Sequence, residues 1–304
     1  MASRWWTYQR ERFPVFAHGA LIAVFSLSAY GYSALVAGRD TVDWGAAGVA
    51  FAITFLFLLQ LRIADEFKDF EDDSRFRAYR PVPRGLVTLR ELAVVGVAAA
   101  VLQLLLAAWL SPPLLALLFG VWAYYGLMSV EFFAREWLKA RPVIYLVSHM
   151  MIMPLIALCA TACDWLVRGE SFRPALGWFL AMSFFVGIAL EIGRKIRAPS
   201  DEEVGVETYS GLWGVRRATR VWCGAVVVSA ALLVAATSAF AVRTRWVEAY
   251  VVLAIALAAG SLAFVFQRSL PISGGKRIEI YAQILALLLY LAAGAIPILL
   301  EVWT

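Results

Sequence analysis

In 304 residues with a formal net charge of +5, 62% of the side chains are hydrophobic and only 16% are charged, against about 25% charged in an ordinary soluble domain. With a mean hydropathy of +0.76 this is a polytopic membrane protein, and a soluble globular domain is excluded. The excess positive charge needs no nucleic-acid partner, because basic residues gathered in the loops of a membrane protein are what the positive-inside rule produces.

Apolar runs of about 20 residues, long enough to cross the hydrocarbon core, occur nine times: 14–37, 45–64, 90–110, 112–130, 142–163, 174–196, 218–241, 246–267 and 278–303. The first follows Arg4, Arg10, Glu11 and Arg12, is long and lacks a small-residue cleavage pattern, so it is expected to be a retained helix and not a signal peptide. Ser111-Pro112-Pro113 separates the third run from the fourth, where the prolines favour a stop and restart. Cys159, Cys163 and Cys223 fall in or beside apolar runs with no metal-ligand spacing, and read as core thiols. Trp5, Trp6, Trp122 and Trp246 suit the interfacial aromatic belts.

Loop charge orients the chain. The even-numbered connections hold Arg75, Arg77, Arg80 and Arg84, then Arg135, Lys139 and Arg141, then Arg197, Arg216 and Arg217, then Arg268, Lys276 and Arg277. The odd ones hold only Arg39, Arg168 with Arg173, and Arg243 with Arg245. This asymmetry predicts a single polytopic domain over residues 1–304, with a cytoplasmic N-terminus and an external C-terminus. The inner membrane of a bacterium is its expected location.

The longest cytoplasmic connections carry the chemistry. After the second run comes Asp65-Glu-Phe-Lys-Asp69-Phe-Glu-Asp-Asp73, then Arg80-Pro-Val-Pro-Arg84-Gly85. If the helix continues, Asp65, Asp69 and Asp73 share one face, drifting by about 80° over two steps. Like charges so spaced oppose the helix by roughly 0.2 to 0.5 kcal/mol per pair, and a bound hard cation such as Mg2+ would reverse that sign. After the sixth run comes Glu191-Ile-Gly-Arg194-Lys195-Ile-Arg197, followed by Asp201-Glu-Glu-Val-Gly205. Each loop mixes carboxylates with bases and ends in a Gly-containing turn, Gly85 to Thr88 and Gly205 to Thr208. The two segments, 65–88 and 191–216, hint at an internal pseudo-repeat with a site at its interface.

Asp-x-x-x-Asp-x-x-x-Asp at 65–73 with Arg80-Pro-Val-Pro-Arg-Gly85 resembles the first aspartate-rich signature of the UbiA superfamily of intramembrane prenyltransferases. Asp201-Glu-Glu-Val-Gly-Val206 is similar to that family's second conserved region, and Glu136-Trp-Leu-Lys139, with His149 and Met153-Pro154 beyond, to its Leu-Lys stretch. The resemblance implies an all-α fold of about nine transmembrane helices around a central cavity, with the active site at the cytoplasmic face. It implies Mg2+-dependent transfer of an isoprenyl group from an isoprenyl diphosphate to an acceptor that the sequence does not name. By position, Asp65, Asp69, Asp73 and Asp201 become metal ligands, and Glu191 joins them as a catalytic carboxylate. Arg80, Arg84, Lys139, Arg194 and Lys195 become candidates for the diphosphate. The departure is the second motif, cationic at Arg194-Lys195 where the family carries a second carboxylate; these bases and Arg197 would replace a metal's charge or bind an acidic acceptor.

Simpler readings compete. An acidic row at a membrane helix end is often a solvated cap, and Arg75 and Arg77 suit the positive-inside rule alone. His149 reads as a packing residue, as do Tyr124, Tyr125 and Tyr209. Glu191 is harder to dismiss, since a carboxylate at the end of an apolar helix is costly unless paired. Two further functions fit the composition: transfer of a phosphorylated sugar or other polar group onto a polyprenyl or lipid phosphate, and cation-linked lipid transport. A transporter would place its ionisable groups near mid-membrane, whereas these sit at one face.

Overall fold

The structure is a computed structural model that describes residues 3–240 and 274–303. The expected span at 246–267, and Trp246, Arg243, Arg245 and Arg268 with it, lie outside the described residues. Among the described residues the chain is helical, and seven helices are long and apolar enough to cross a membrane.

A short amphipathic helix, α1 (Arg4–Arg12), precedes the first span, α2 (Val15–Val36). Then come α3 (Trp44–Lys68), the short α4 (Phe70–Phe76), α5 (Leu89–Leu110) and α6 (Leu114–Ser129). At 16 residues, α6 rises only about 24 Å, so the expected fourth span is shorter than the roughly 30 Å hydrocarbon core. The fifth follows the short α7 (Arg135–Lys139) and comes as two segments, α8 (Pro142–Met150) and α9 (Ile152–Trp165). Pro154 explains the joint: it has no N–H to offer the Met150 carbonyl.

After α10 (Leu176–Arg194) and the one-turn α11 (Tyr209–Trp213) come α12 (Val215–Thr237), α13 (Gly274–Tyr290) and α14 (Ile296–Trp303). The last two are joined through a π-helical turn, Leu291–Ala295, where Pro297 likewise withholds a donor. Ser28 of α2 donates to the Tyr290 carbonyl at 2.5 Å. Gly294 is required beside it, because a Cβ there would lie 2.1 Å from the Ser28 oxygen.

Packing is graded from centre to rim. α2 touches α3, α9, α13 and the π turn, and α10 packs between α9, α12 and α13. In α2, 61% of the most apolar stretch is buried, against 22% in α5. Val94, Val97, Val101, Leu105 and Trp109 lie exposed along α5, a stripe at helical spacing that suits lipid. All three cysteines are buried and free, as core thiols should be.

Two polar zones mark the ends of this bundle. At one, buried Asp164 near the end of α9 receives Ser33 at 2.7 Å and is ion-paired with Arg39 and Arg168, while Glu170 holds Arg39 at 2.5 Å. At the other, α1 is tied down by Arg4 to Glu91, Glu11 to Arg84 and Arg12 to buried Glu66. Tyr8 there enters a small core of Ile63, Val82, Val87 and Leu92.

Candidate active site

The acidic row keeps its helical register past the end of α3. Asp69 N donates to the Asp65 carbonyl at 2.9 Å, Asp73 N to Asp69 at 2.7 Å, and Arg77 N to Asp73 at 2.8 Å. The three aspartates therefore follow one another at successive turns, although Asp69 itself (φ −92, ψ 2) marks a bend between α3 and α4.

Their surroundings divide them. Asp73 is buried, with Arg77 and Arg80 each 2.6 Å from its carboxylate and Arg12 at 3.9 Å. Asp65 keeps 49% of its side chain exposed, and among the described residues its one ion pair is a long one, to Arg62 at 3.8 Å. Asp69 has no ion pair among the described residues. Burial, then the charges of Asp65 and Asp73, push its carboxyl above the usual aspartate range. An under-neutralised carboxylate beside another open one is what a cation would relieve.

Lys68 sits between these two aspartates in sequence, and its charge acts on Asp69 while its ammonium is anchored elsewhere. Its ammonium lies 2.7 Å from Glu131 and 2.5 Å from the Tyr145 hydroxyl. Glu131 is buried, and among the described residues its second oxygen has no hydrogen-bond partner. It opens three consecutive residues in the left-handed region, Glu131, Phe132 and Phe133, at φ 51 to 57, a conformation that costs L-residues energy and persists where surroundings enforce it. Tyr145 stacks on His149 at 3.9 Å, His149 Nδ1 lies 2.9 Å from the Tyr145 carbonyl, and its Nε2 is buried without a partner.

The end of α10 faces this cluster. Arg194 Nε lies 2.5 Å from one Glu191 oxygen and Lys195 Nζ 3.0 Å from the other. Arg194 is within electrostatic reach of Asp65, and His149 of Glu191. Tyr209 lies under Lys195, 5.7 Å from its ring centre, and burial beside Glu191 raises its phenol above the ordinary range.

The two loops are built alike and touch. Gly85 and Gly205 both adopt positive φ, 76 and 78, and three residues later Thr88 and Thr208 cap α5 and α11 with their hydroxyls. Thr88 with Glu91 completes a capping box. The Phe76 ring fills the space at Gly205, where a Cβ would meet it at 2.6 Å, and Tyr79 donates to Glu203 at 3.3 Å.

Arg194 thus links the two loops, within reach of Asp65 on one side and, with Lys195, bound to Glu191 on the other. The other expected residues do not join them in the same way. Arg80 is engaged by Asp73, and Arg84 by Glu11 and the Tyr79 carbonyl. Lys139 is exposed on α7, with no ion pair among the described residues. Asp201 is exposed in a turn, its carboxylate accepting from Ser200 at 3.2 Å. Among the described residues no three His, Cys, Asp or Glu converge closely enough to hold a metal by themselves, so a cation here needs oxygens from a ligand. Lys68, Glu131 and Tyr145 have no place in the sequence motifs. They are missed in the sequence, where the signal that could have found Lys68 and Glu131 is charge at apolar helix ends, costly unless paired.

Residues 21–288 match the UbiA prenyltransferase family. The chain belongs to that family. Its fold is similar to the apo structure of a UbiA homolog from Aeropyrum pernix K1, with a TM-score of 0.65 at 15% identity over 87% of this chain and 94% of that one. A UbiA homolog from Archaeoglobus fulgidus, bound to DMAPP and Mg2+, gives a TM-score of 0.58 at 15% identity over 94% and 98%. A structure concerned with digeranylgeranylglyceryl phosphate synthase in membranes gives 0.62 at 14% identity over the whole of both chains. No curated protein sequence matches the chain. Family membership and the seven apolar helices make it an integral, multi-pass membrane protein of the UbiA prenyltransferase family.

Proposed function

We propose that this chain transfers an isoprenyl group from an isoprenyl diphosphate to a small or lipid acceptor, with Mg2+ at Asp65 and Asp69. The observation that carries this reading is the division of the acidic row: Asp73 is neutralised by arginines, while Asp69 has no ion pair among the described residues and Asp65, held only by a long pair to Arg62, lies within electrostatic reach of Arg194. Structures of a UbiA homolog from Archaeoglobus fulgidus were solved with DMAPP or with GPP, each with Mg2+, which supports a diphosphate as the donor. Bound there, the ion would neutralise the leaving diphosphate.

The chain's own groups supply the rest. Arg194 and Lys195 face the same space and can take phosphate oxygens, while the Asp73 carboxylate holds Arg77 and Arg80 in place behind the row. Breaking the allylic C–O bond sends its electron pair to the diphosphate, and the acceptor's nucleophile forms the new bond as it loses a proton. Apolar helix faces would hold the isoprenoid tail. Nine spans around a central cavity, a cytoplasmic site and N-terminus, and a two-fold pseudo-repeat are part of the same proposal. The basic loops around the site and the matched Gly-x-x-Thr turns support them.

The Arg194-Lys195 pair also favours a second reading, in which donor or acceptor carries an additional phosphate or carboxylate. One assay tests both. Reconstituted protein is supplied with Mg2+ and labelled geranylgeranyl diphosphate, together with native lipid extract or a phosphorylated sugar. Prenylated product lost in Asp69→Ala supports the first reading; product only with the phosphorylated sugar supports transfer of that group instead.

A further inference from the structure

We propose that this chain binds its diphosphate with a single divalent cation at Asp65 and Asp69, and that Arg194 and Lys195 supply from the protein the charge a second cation would bring. The proposal rests on the prenyl-diphosphate reading above and sharpens it.

A cation facing the first acidic row would have to be held by carboxylates on the opposite loop. Glu191 is the carboxylate best placed for that, and both its oxygens are occupied, Oε2 by Arg194 at 2.5 Å and Oε1 by Lys195 at 3.0 Å. Mg2+ needs oxygens at 2.0 to 2.1 Å in near-octahedral array, and would have to displace both bases to reach them. The carboxylates that follow are also committed or turned outward. Glu202 accepts from Thr208 and Ser210, and Glu203 pairs with Arg197 and Tyr79, while Asp201 is exposed on its turn.

The same two bases are built to meet an anion. Among the described residues Arg194 commits only its Nε, so the outer edge of its guanidinium carries free donors, and 49% of its side chain is exposed. Lys195 is 34% exposed and gives one of its three protons to Glu191. With Glu191 the pair carries a net charge of +1, and Arg194 lies within electrostatic reach of Asp65. A diphosphate between the two loops would thus meet one metal-binding wall and one fixed cationic wall.

The test measures stoichiometry directly. Purified full-length protein in lipid nanodiscs is dialysed against Mn2+ and geranyl methylenediphosphonate, whose P–C–P bridge resists loss, and both bound ligands are counted per chain. We expect one Mn2+ per bound diphosphonate. Arg194→Ala should weaken diphosphonate binding roughly 10- to 100-fold, the loss of one charged hydrogen-bond partner, with Mn2+ stoichiometry unchanged and Arg194→Lys recovering part of the affinity. Two Mn2+ per diphosphonate, or wild-type affinity in Arg194→Ala, would overturn the single-cation arrangement and leave the donor assignment standing. Diphosphonate binding indifferent to Mn2+ would instead overturn the donor reading itself. Because the wild-type count is decisive alone, a variant that misfolds does not blunt the test.

Discussion

Three aspartates at identical spacing meet different fates, and the neighbours within about 4 Å decide which. Asp73 is consumed by Arg77 and Arg80, whereas Asp69 is left with two like charges and burial, which raise its pKa. A carboxyl raised in the folded state binds its proton more tightly there. Ionised Asp69 therefore opposes folding above its folded pKa, and the penalty vanishes below about 3.9, the ordinary aspartate value. Asp69→Asn should accordingly raise the thermal midpoint of metal-free protein at neutral pH, with the advantage disappearing near pH 4, while lowering Mg2+ affinity at least about 100-fold. Thermal unfolding across that pH range checks the sign, and an unchanged or lowered midpoint at neutral pH contradicts it. Lys68 supplies a second prediction. Held by Glu131 and Tyr145, it only partly offsets the burial and like charges at Asp69, its chain neighbour. Glu131→Gln frees it, so Mg2+ affinity should fall about 10- to 100-fold, as for other residues that orient a metal site, and Lys68→Met on the same background should restore it. Metal titration of the single and double variants decides.

These residue-scale facts were unevenly legible. The aspartate register could be read because it depends on local helix geometry. The Lys68–Glu131 pair could not, because it joins residues 63 apart through a left-handed turn of Glu131-Phe132-Phe133 that no glycine announces.

At the scale of elements, spans were easier to find than their breaks. Eight of the nine expected runs fall on helices among the described residues, since an unbroken apolar run of that length leaves the backbone little choice in lipid. The joint before Ile152 and the π turn before Ile296 depend on Pro154 and Pro297, whose effect on neighbouring turns is set by packing. The loops carry their own prediction. Gly205→Ala places a Cβ 2.6 Å from the Phe76 ring at a positive-φ position, so it should separate the two loops and lower turnover at least about 10-fold, a displacement effect, with the bundle's helicity unchanged. Circular dichroism beside the transfer assay tests this. The opposite end of the bundle behaves differently. Asp164 lies near the end of α9 remote from the α8–α9 joint and His149, and shares Arg39 with Glu170. Asp164→Ala leaves Arg39 with Glu170 alone and takes the acceptor from buried Ser33, and should cost about 1 to 3 kcal/mol of stability without changing diphosphate affinity in the folded fraction. A shifted affinity would show that this network reaches the site.

For the whole molecule, hydropathy and loop charge dictate a polytopic bundle, and two loops four expected spans apart bring their charges to one end of it. Family membership follows from the chain at large, while the chemistry turns on a few side chains at that end. The Arg194-Lys195 departure, visible in the sequence, becomes a pair of cations clamping Glu191 and facing Asp65 once the loops are folded together. The most direct test of the account is binding of geranylgeranyl diphosphate to purified wild-type and Asp69→Ala protein, with and without Mg2+. Binding should require Mg2+ in the wild type and be lost in the variant. Equal binding by both proteins, or binding indifferent to Mg2+, would contradict it.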